Sequence, residues 1–427
     1  MAPASPVLFS RAAVLQLCAA LLLSLPGAVP AAPARDDPLP RAAPESVGLD
    51  PARLARIRTA MQGYLDRHEL PGGVVLVARH GKLAYELAFG ESRVDTIFRI
   101  ASQSKAITST GIMMLVEEGR LVLSDPVSKF IPQFAKPVVA EPDGEGYRIV
   151  PAKREITIRD LLTHTSGLGY GVDIAADRWQ AAGIQKWYFA DRDEPMADIV
   201  ARMGTLPLES QPGEKWVYGY SIDVLGVVIE RITGQGLDRF LHDRLFAPLG
   251  MNDTYFYLPP AKRARLAKVW SPRAGGGLEL APDPGVGIGQ GLYVDGPRKA
   301  FSGGGGLLST AGDYARFLQM MLNGGQLDGR RLLSRKTVEL MTTDFLGGIS
   351  DRPGRGWGLG FEIATDLGLR GLPGSKGDYG WGGAYNTYYW VDPREDLLVV
   401  YHTQVIPPGG IKDFETLRGL VYQAIAD

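Results

Sequence analysis

In the stretch FRIASQSKAI, residues 98–107, a lysine follows a serine by three positions, just where extended sequence gives way to a helical pattern. On a helix, positions i and i+3 share a face with Cβ atoms about 5–6 Å apart, so an amine at Lys105 reaches the hydroxyl of Ser102. A lone serine hydroxyl is a poor nucleophile, and an adjacent base activates it. The pair is therefore equipped for acyl transfer. The same two residues also suit a helix N-cap and a solvated lysine, and Ser-x-x-Lys arises about once by chance in a chain of this length, so the rest of the sequence must decide.

Other chemistries find little support. The five histidines, at 68, 80, 164, 242 and 402, show no His-x-His or His-Glu-x-x-His spacing, so no metal is expected. There is no Gly-x-Ser-x-Gly elbow of the kind found in α/β-hydrolases. No Gly-x-Gly-x-x-Gly follows a strand, and SGGGGLL from Ser302 reads as a tight glycine loop, so no nucleotide cofactor is expected either. Lys plus Arg total 46 against 47 for Asp plus Glu, a near-neutral balance that argues against nucleic acid or anionic membrane as partner. The expected partner is a small-molecule ester or amide.

Residues 1–34 read as a signal peptide: Arg11 precedes an apolar run that is too short and proline-broken to span a membrane, and small residues follow Pro26. A periplasmic or secreted location follows as an expectation. The single cysteine, Cys18, lies in that leader, so thiolate catalysis, disulfides and cysteine-bound zinc are excluded from the mature chain. Residues 35–46, rich in Pro, Ala and Asp, read as a flexible tail, with the fold starting near Val47.

The elements that must position the pair come next. PARLARIRTAMQGYLDRH from Pro51 is an amphipathic helix, and GGVVLVARHGKLAYELAFG is two strands broken at His80-Gly81. The Ser102 helix is apolar on most sides and stops near Gly119. A polar loop is expected over residues 136–154, and ITIRDLLTHTSGL from Ile156 is a helix entering a turn. YSIDVLGVVIERITG carries an apolar stripe, Ile222, Leu225, Ile229 and Ile232, ending at Gly234. Strands return in WGLGFEIATD, GAYNTYYWVDP and DLLVVYHTQV, and a helix closes the chain. The expected fold is α+β: an antiparallel sheet from residues 47–100 and 346–427, flanked by terminal helices, with a mostly helical region, about 101–345, inserted after the sheet's first strands.

Three segments occur in a telling order: Ser102-Gln103-Ser104-Lys105, then PGEKWVYGYSIDVLG, then YGWGGAYNTYYWVDP. With ITIRDLLTHTSGL and SGGGGLLSTAGDYARFLQMMLNGG, they make the chain resemble serine hydrolases of the class C β-lactamase and penicillin-binding protein superfamily, closest to family VIII carboxylesterases. The resemblance covers about residue 47 to the end. It implies a β-lactamase-like fold, Ser102 as nucleophile, Lys105 as its base or as stabiliser of a phenolate, and Tyr218 as the proton shuttle. It also implies an oxyanion hole from the backbone N–H groups of Ser102 and Ala384.

Tyr218 lies two residues after Trp216 and five before Asp223, as in the esterases, while Tyr220 is its rival for the catalytic phenol. Thr163-His164-Thr165-Ser166-Gly167 imitates the family's third box but falls out of order and reads as a structural turn. His402 reads as a packed histidine or a residue of the pocket rim.

Departures from the antibiotic-binding pattern carry the substrate expectation. Tyr220 stands where the second box has asparagine, and Trp381, followed by Gly382 and Gly383, stands where the third box has lysine. A substrate carboxylate thereby loses a cation and gains an apolar wall. The expectation is an exported carboxylesterase whose pocket uses Tyr220, Trp381, Gly382 and Gly383, with Tyr170 and Trp187 as further aromatic walls. A β-lactamase, D-amino-acid peptidase or oligoamide hydrolase is the alternative.

Overall fold

The computed structural model describes residues 37–427. The expected signal peptide lies outside the described residues. Seven antiparallel strands form the main sheet, in the spatial order Arg355–Trp357, Glu362–Ala364, Tyr379–Gly383, Thr387–Asp392, Leu397–His402, Gly72–Arg79 and Lys82–Gly90. Both ends of the chain thus supply one sheet. Its N-terminal pair is joined at His80-Gly81, whose φ values of 53° and 70° are those of a tight hairpin turn.

Every residue of Gly72–Arg79 is buried, because both faces of the sheet are covered. Side-chain alternation splits the run between two cores. Val75, Val77, Val399 and Tyr401 pack with Leu54, Ile57 and Met61 of helix Pro51–Asp66 and with Leu417 and Val421 of helix Asp413–Tyr422. Val74, Leu76, Leu398 and Val400 face the larger core, which includes Ile107 and Ile112 of helix Ser104–Glu117. That helix packs against Ser221–Thr233 and is buried from Ser104 to Leu115.

Two expectations are corrected. Residues 37–46 are not a loose tail. Leu39 is buried in the larger core, Arg41 bonds both Asp37 and Glu86, and Pro44–Val47 is a 3-10 helix. A buried leucine, the two ion pairs of Arg41 and backbone hydrogen bonds of Pro40 and Ala42 to Leu83 hold a segment whose composition reads as linker. Within the expected loop 136–154, Val138–Asp143 and Gly146–Pro151 pair as a two-stranded ribbon, turning at Gly144-Glu145. Two short runs around a turn that begins with glycine, here Gly144 at φ 58°, are a hairpin signal that the flanking prolines and charges obscure.

Phe98–Arg99 pairs with Leu308–Ser309, outside the main sheet. This short ladder anchors the entry to the Ser102 helix beside the glycine loop at residues 302–307. Among the described residues no helix is long and apolar enough to cross a membrane.

Candidate active site

Ser102 sits on a single 3-10 turn, Ala101–Gln103, that runs into helix Ser104–Glu117. Ala101 has φ 41°, a left-handed conformation costly for a residue with a Cβ. The surroundings impose it: the Ile100 N–H donates to the Leu307 carbonyl, the Leu307 N–H donates to Ser104 Oγ, and the Tyr314 hydroxyl donates to the Gln103 carbonyl. The strained turn aims Ser102 into a cleft and back along its helix toward Lys105.

Lys105 is almost fully buried, and its Nζ lies 3.2 Å from Ser102 Oγ, 3.2 Å from the Tyr170 hydroxyl and 2.7 Å from the Gly304 carbonyl. An ammonium has three donors, and three acceptors surround it. As a free amine it keeps two donors and turns its lone pair to the serine hydroxyl. The same three contacts therefore serve both forms. Asp223 stands behind this arrangement, accepting from Ser302 Oγ at 2.6 Å and from the Gly304 N–H at 3.1 Å. Its burial raises its pKa above the usual carboxylate value, against the pull of the Lys105 charge.

Tyr218 completes the cluster from another direction. Lys105 Nζ lies 4.6 Å from the centre of its ring, and its hydroxyl accepts a 2.8 Å hydrogen bond from the indole Nε1 of Trp381. Trp381 is thus more than a wall. It fixes the phenol oxygen and leaves the phenol's own proton free to be donated. His164 packs against the opposite side, its ring 4.7 Å from that of Tyr218, and its carbonyl accepts from the Val217 N–H. Burial, then the Lys105 charge, holds the His164 imidazole well below its ordinary pKa, so it is neutral. The segment around it is the turn after helix Ile158–Leu162, which is closed by a Thr157–Asp160 capping box.

The glycines of the third box allow close approach. A Cβ on Gly383 would collide with the Ile100 carbonyl oxygen, so only glycine lets strand Tyr379–Gly383 run against the Ser102 turn. Ser102, Tyr218, Trp381, Gly382, Gly383 and Ala384 all line one cleft of about 400 Å³, with Tyr170 and Trp187 opposite.

One expected pocket residue is elsewhere. Tyr220 is fully buried, packed on Trp179, and its hydroxyl donates to the Lys186 carbonyl at 2.6 Å, with the Tyr170 carbonyl 3.2 Å away. It props the backbone of Tyr170 and does not line the cleft. His402 is also remote from the chemistry. It is buried between Phe98 and Tyr314, bonds Gln103 Oε1 at 3.0 Å, and burial pushes its pKa down to about 3.

Tyr170, suggested by sequence only as a wall, touches Lys105 directly. Burial, reinforced by neighbouring Tyr218, keeps its phenol far above the ordinary pKa and therefore protonated. Asp223 entered the sequence reading only as part of a motif. Among the described residues, no group of three or more His, Cys, Asp or Glu side chains is placed to hold a metal ion.

Comparison with known proteins adds family to geometry. The beta-lactamase family model matches residues 57–420. Protein Rv1367c of Mycobacterium tuberculosis is 36% identical over 372 residues, covering 82% of this chain and 90% of that one. Esterase EstB of Burkholderia gladioli is 31% identical over 389 residues, covering 86% of this chain and 94% of its own. The solved structure of EstCE1, a hydrolase with promiscuous acyltransferase activity, superposes with a TM-score of 0.75 at 27% identity, over 87% of this chain and 99% of that one. Across nearly all of its described length, the chain belongs to the beta-lactamase family of serine hydrolases, among members that include esterases.

Proposed function

We propose that the protein is an exported carboxylesterase that works through an acyl-enzyme on Ser102. The observation that carries this reading is the Lys105 amine, 3.2 Å from Ser102 Oγ, in the cleft that Tyr218 and Trp381 also line. Likeness to EstB and EstCE1 supports ester chemistry, and the leader sequence supports export.

In this mechanism Ser102 Oγ attacks the ester carbonyl as Lys105 takes its proton. The carbonyl oxygen becomes an oxyanion held by the Ser102 and Ala384 N–H groups, donors of a kind worth on the order of 10²–10³ in rate each. Tyr218 donates its proton to the departing alkoxide and is resupplied from Lys105 by way of the Tyr170 hydroxyl, which lies 3.2 Å from Nζ on a ring beside that of Tyr218. The Trp381 N–H supports the negative charge that develops on the phenol oxygen. Water then enters by the same route in reverse, activated by Tyr218, and releases the acid. An alcohol in place of water would give acyl transfer, the side activity named for EstCE1.

Side-by-side kinetics on p-nitrophenyl butyrate and nitrocefin separate ester from lactam hydrolysis. Strong ester turnover with feeble nitrocefin cleavage is expected. The reverse ranking would make the protein a lactam hydrolase and would defeat the esterase reading.

A further inference from the structure

The cleft is not as uncharged as its third box implies. Arg352, on the loop before strand Arg355–Trp357, lays its guanidinium over two indole rings, 5.1 Å from the centre of Trp381 and 5.6 Å from that of Trp216. It lines the same cleft as Ser102 and is about one third exposed, so a ligand can reach it. Arg352 and Arg355 share a single carboxylate, Glu362, which is nearly buried: Arg355 bonds Oε1 at 2.8 Å and Arg352 pairs with Oε2. Two guanidiniums against one carboxylate leave one positive charge in excess.

The loop is fixed in place. Ser350 Oγ bonds the Arg355 carbonyl at 2.5 Å, and the Gly354 carbonyl accepts from the Thr365 N–H of the neighbouring segment. The other cleft-lining guanidiniums, Arg370 and Arg418, share Asp378 and are almost wholly buried, so Arg352 and Arg355 are the pair open to a ligand. The cation lost when Trp381 replaced lysine is thus returned from a different segment, stacked on the very ring that displaced it.

We infer that Arg352, backed by Arg355, is a carboxylate-recognition site that selects esters carrying an acid group on the alcohol portion. The inference rests on the esterase reading above. Its placement follows from Tyr218: the group that protonates the leaving alcohol is bonded to Trp381, and Arg352 lies on Trp381, so the alcohol portion is the part directed at the guanidinium. A flat, forked guanidinium held by aromatic stacking matches a planar carboxylate.

The test compares phenyl butyrate, 3-carboxyphenyl butyrate and monophenyl succinate, which carry no acid, an acid on the alcohol side and an acid on the acyl side. The readout is the ratio of kcat/KM for 3-carboxyphenyl butyrate to that for phenyl butyrate. Comparing this ratio between variants cancels the intrinsic reactivity of the two esters. The ratio should fall about ten-fold or more in Arg352→Met, which keeps apolar contact with the indoles, and recover in part in Arg352→Lys. The loss should lie mainly in KM. An unchanged ratio in Arg352→Met would overturn the inference, as would an Arg352-dependent preference for monophenyl succinate. Failure of the esterase reading itself would appear separately, as no Ser102-dependent turnover of phenyl butyrate.

Discussion

Replacing Ser102 with alanine is expected to lower ester turnover by at least about 10⁴-fold while leaving thermal stability nearly unchanged. The oxygen removed is the one that forms the acyl bond. What it leaves behind is small. Lys105 keeps the Gly304 carbonyl at 2.7 Å and the Tyr170 hydroxyl at 3.2 Å, so its buried amino group retains two of three partners. The apolar packing around helix Ser104–Glu117 does not involve the serine hydroxyl. Initial rates on p-nitrophenyl butyrate together with a thermal melt check both halves of the expectation. Activity retained in folded Ser102→Ala would remove Ser102 from the nucleophile's role.

The second large effect separates two tyrosines that lie two residues apart. Tyr218→Phe should lower kcat by about 10²–10⁴, the usual contribution of a positioned proton donor. Tyr220→Phe should chiefly cost stability. Its hydroxyl serves the Lys186 carbonyl deep in the protein, and leaving a buried acceptor unpaired costs about 1–3 kcal/mol. The expected pattern is a slow enzyme with a near-normal melting temperature in the first case, and an active enzyme that melts earlier in the second. Measuring kcat and Tm for both variants checks it. A dead Tyr220→Phe beside an active Tyr218→Phe would shift the catalytic phenol by two positions.

That pair also shows where the sequence stops being informative. In WVYGYS, spacing to Trp216 and Asp223 favours Tyr218, but nothing local says where the ring of Tyr220 goes. The chain turns into helix Ser221–Thr233 directly after Tyr220, so the two rings do not share a face as they would on a strand. One enters the cleft and the other enters the core. By contrast, local signals placed the hairpin at His80-Gly81, the helix from Pro51 and the helix ending at Gly234, because each is marked by periodicity and a capping or turn residue, and periodicity alone placed the terminal helix. The proximity of Ser102 and Lys105 was legible for the same reason: it is a property of one helical turn.

Contacts made across the chain left no such trace. Tyr170 lies 65 residues from Lys105, and Trp381 lies 163 from the phenol that it bonds. Arg352 sits in a polar loop whose composition suggests solvent, and only the fold stacks it on Trp381. Trp381 stands where the third box of the related enzymes has lysine, and the arginine that lies over it comes from a segment with no motif of its own.

The central claim is that a covalent acyl intermediate forms on Ser102. Intact-protein mass spectrometry after exposure to a fluorophosphonate probe, followed by peptide mapping, tests it most directly. The account predicts one adduct per chain, located on the peptide that contains Ser102 and absent from Ser102→Ala. A folded, unlabelled wild-type protein, or a label on any other residue, would contradict it.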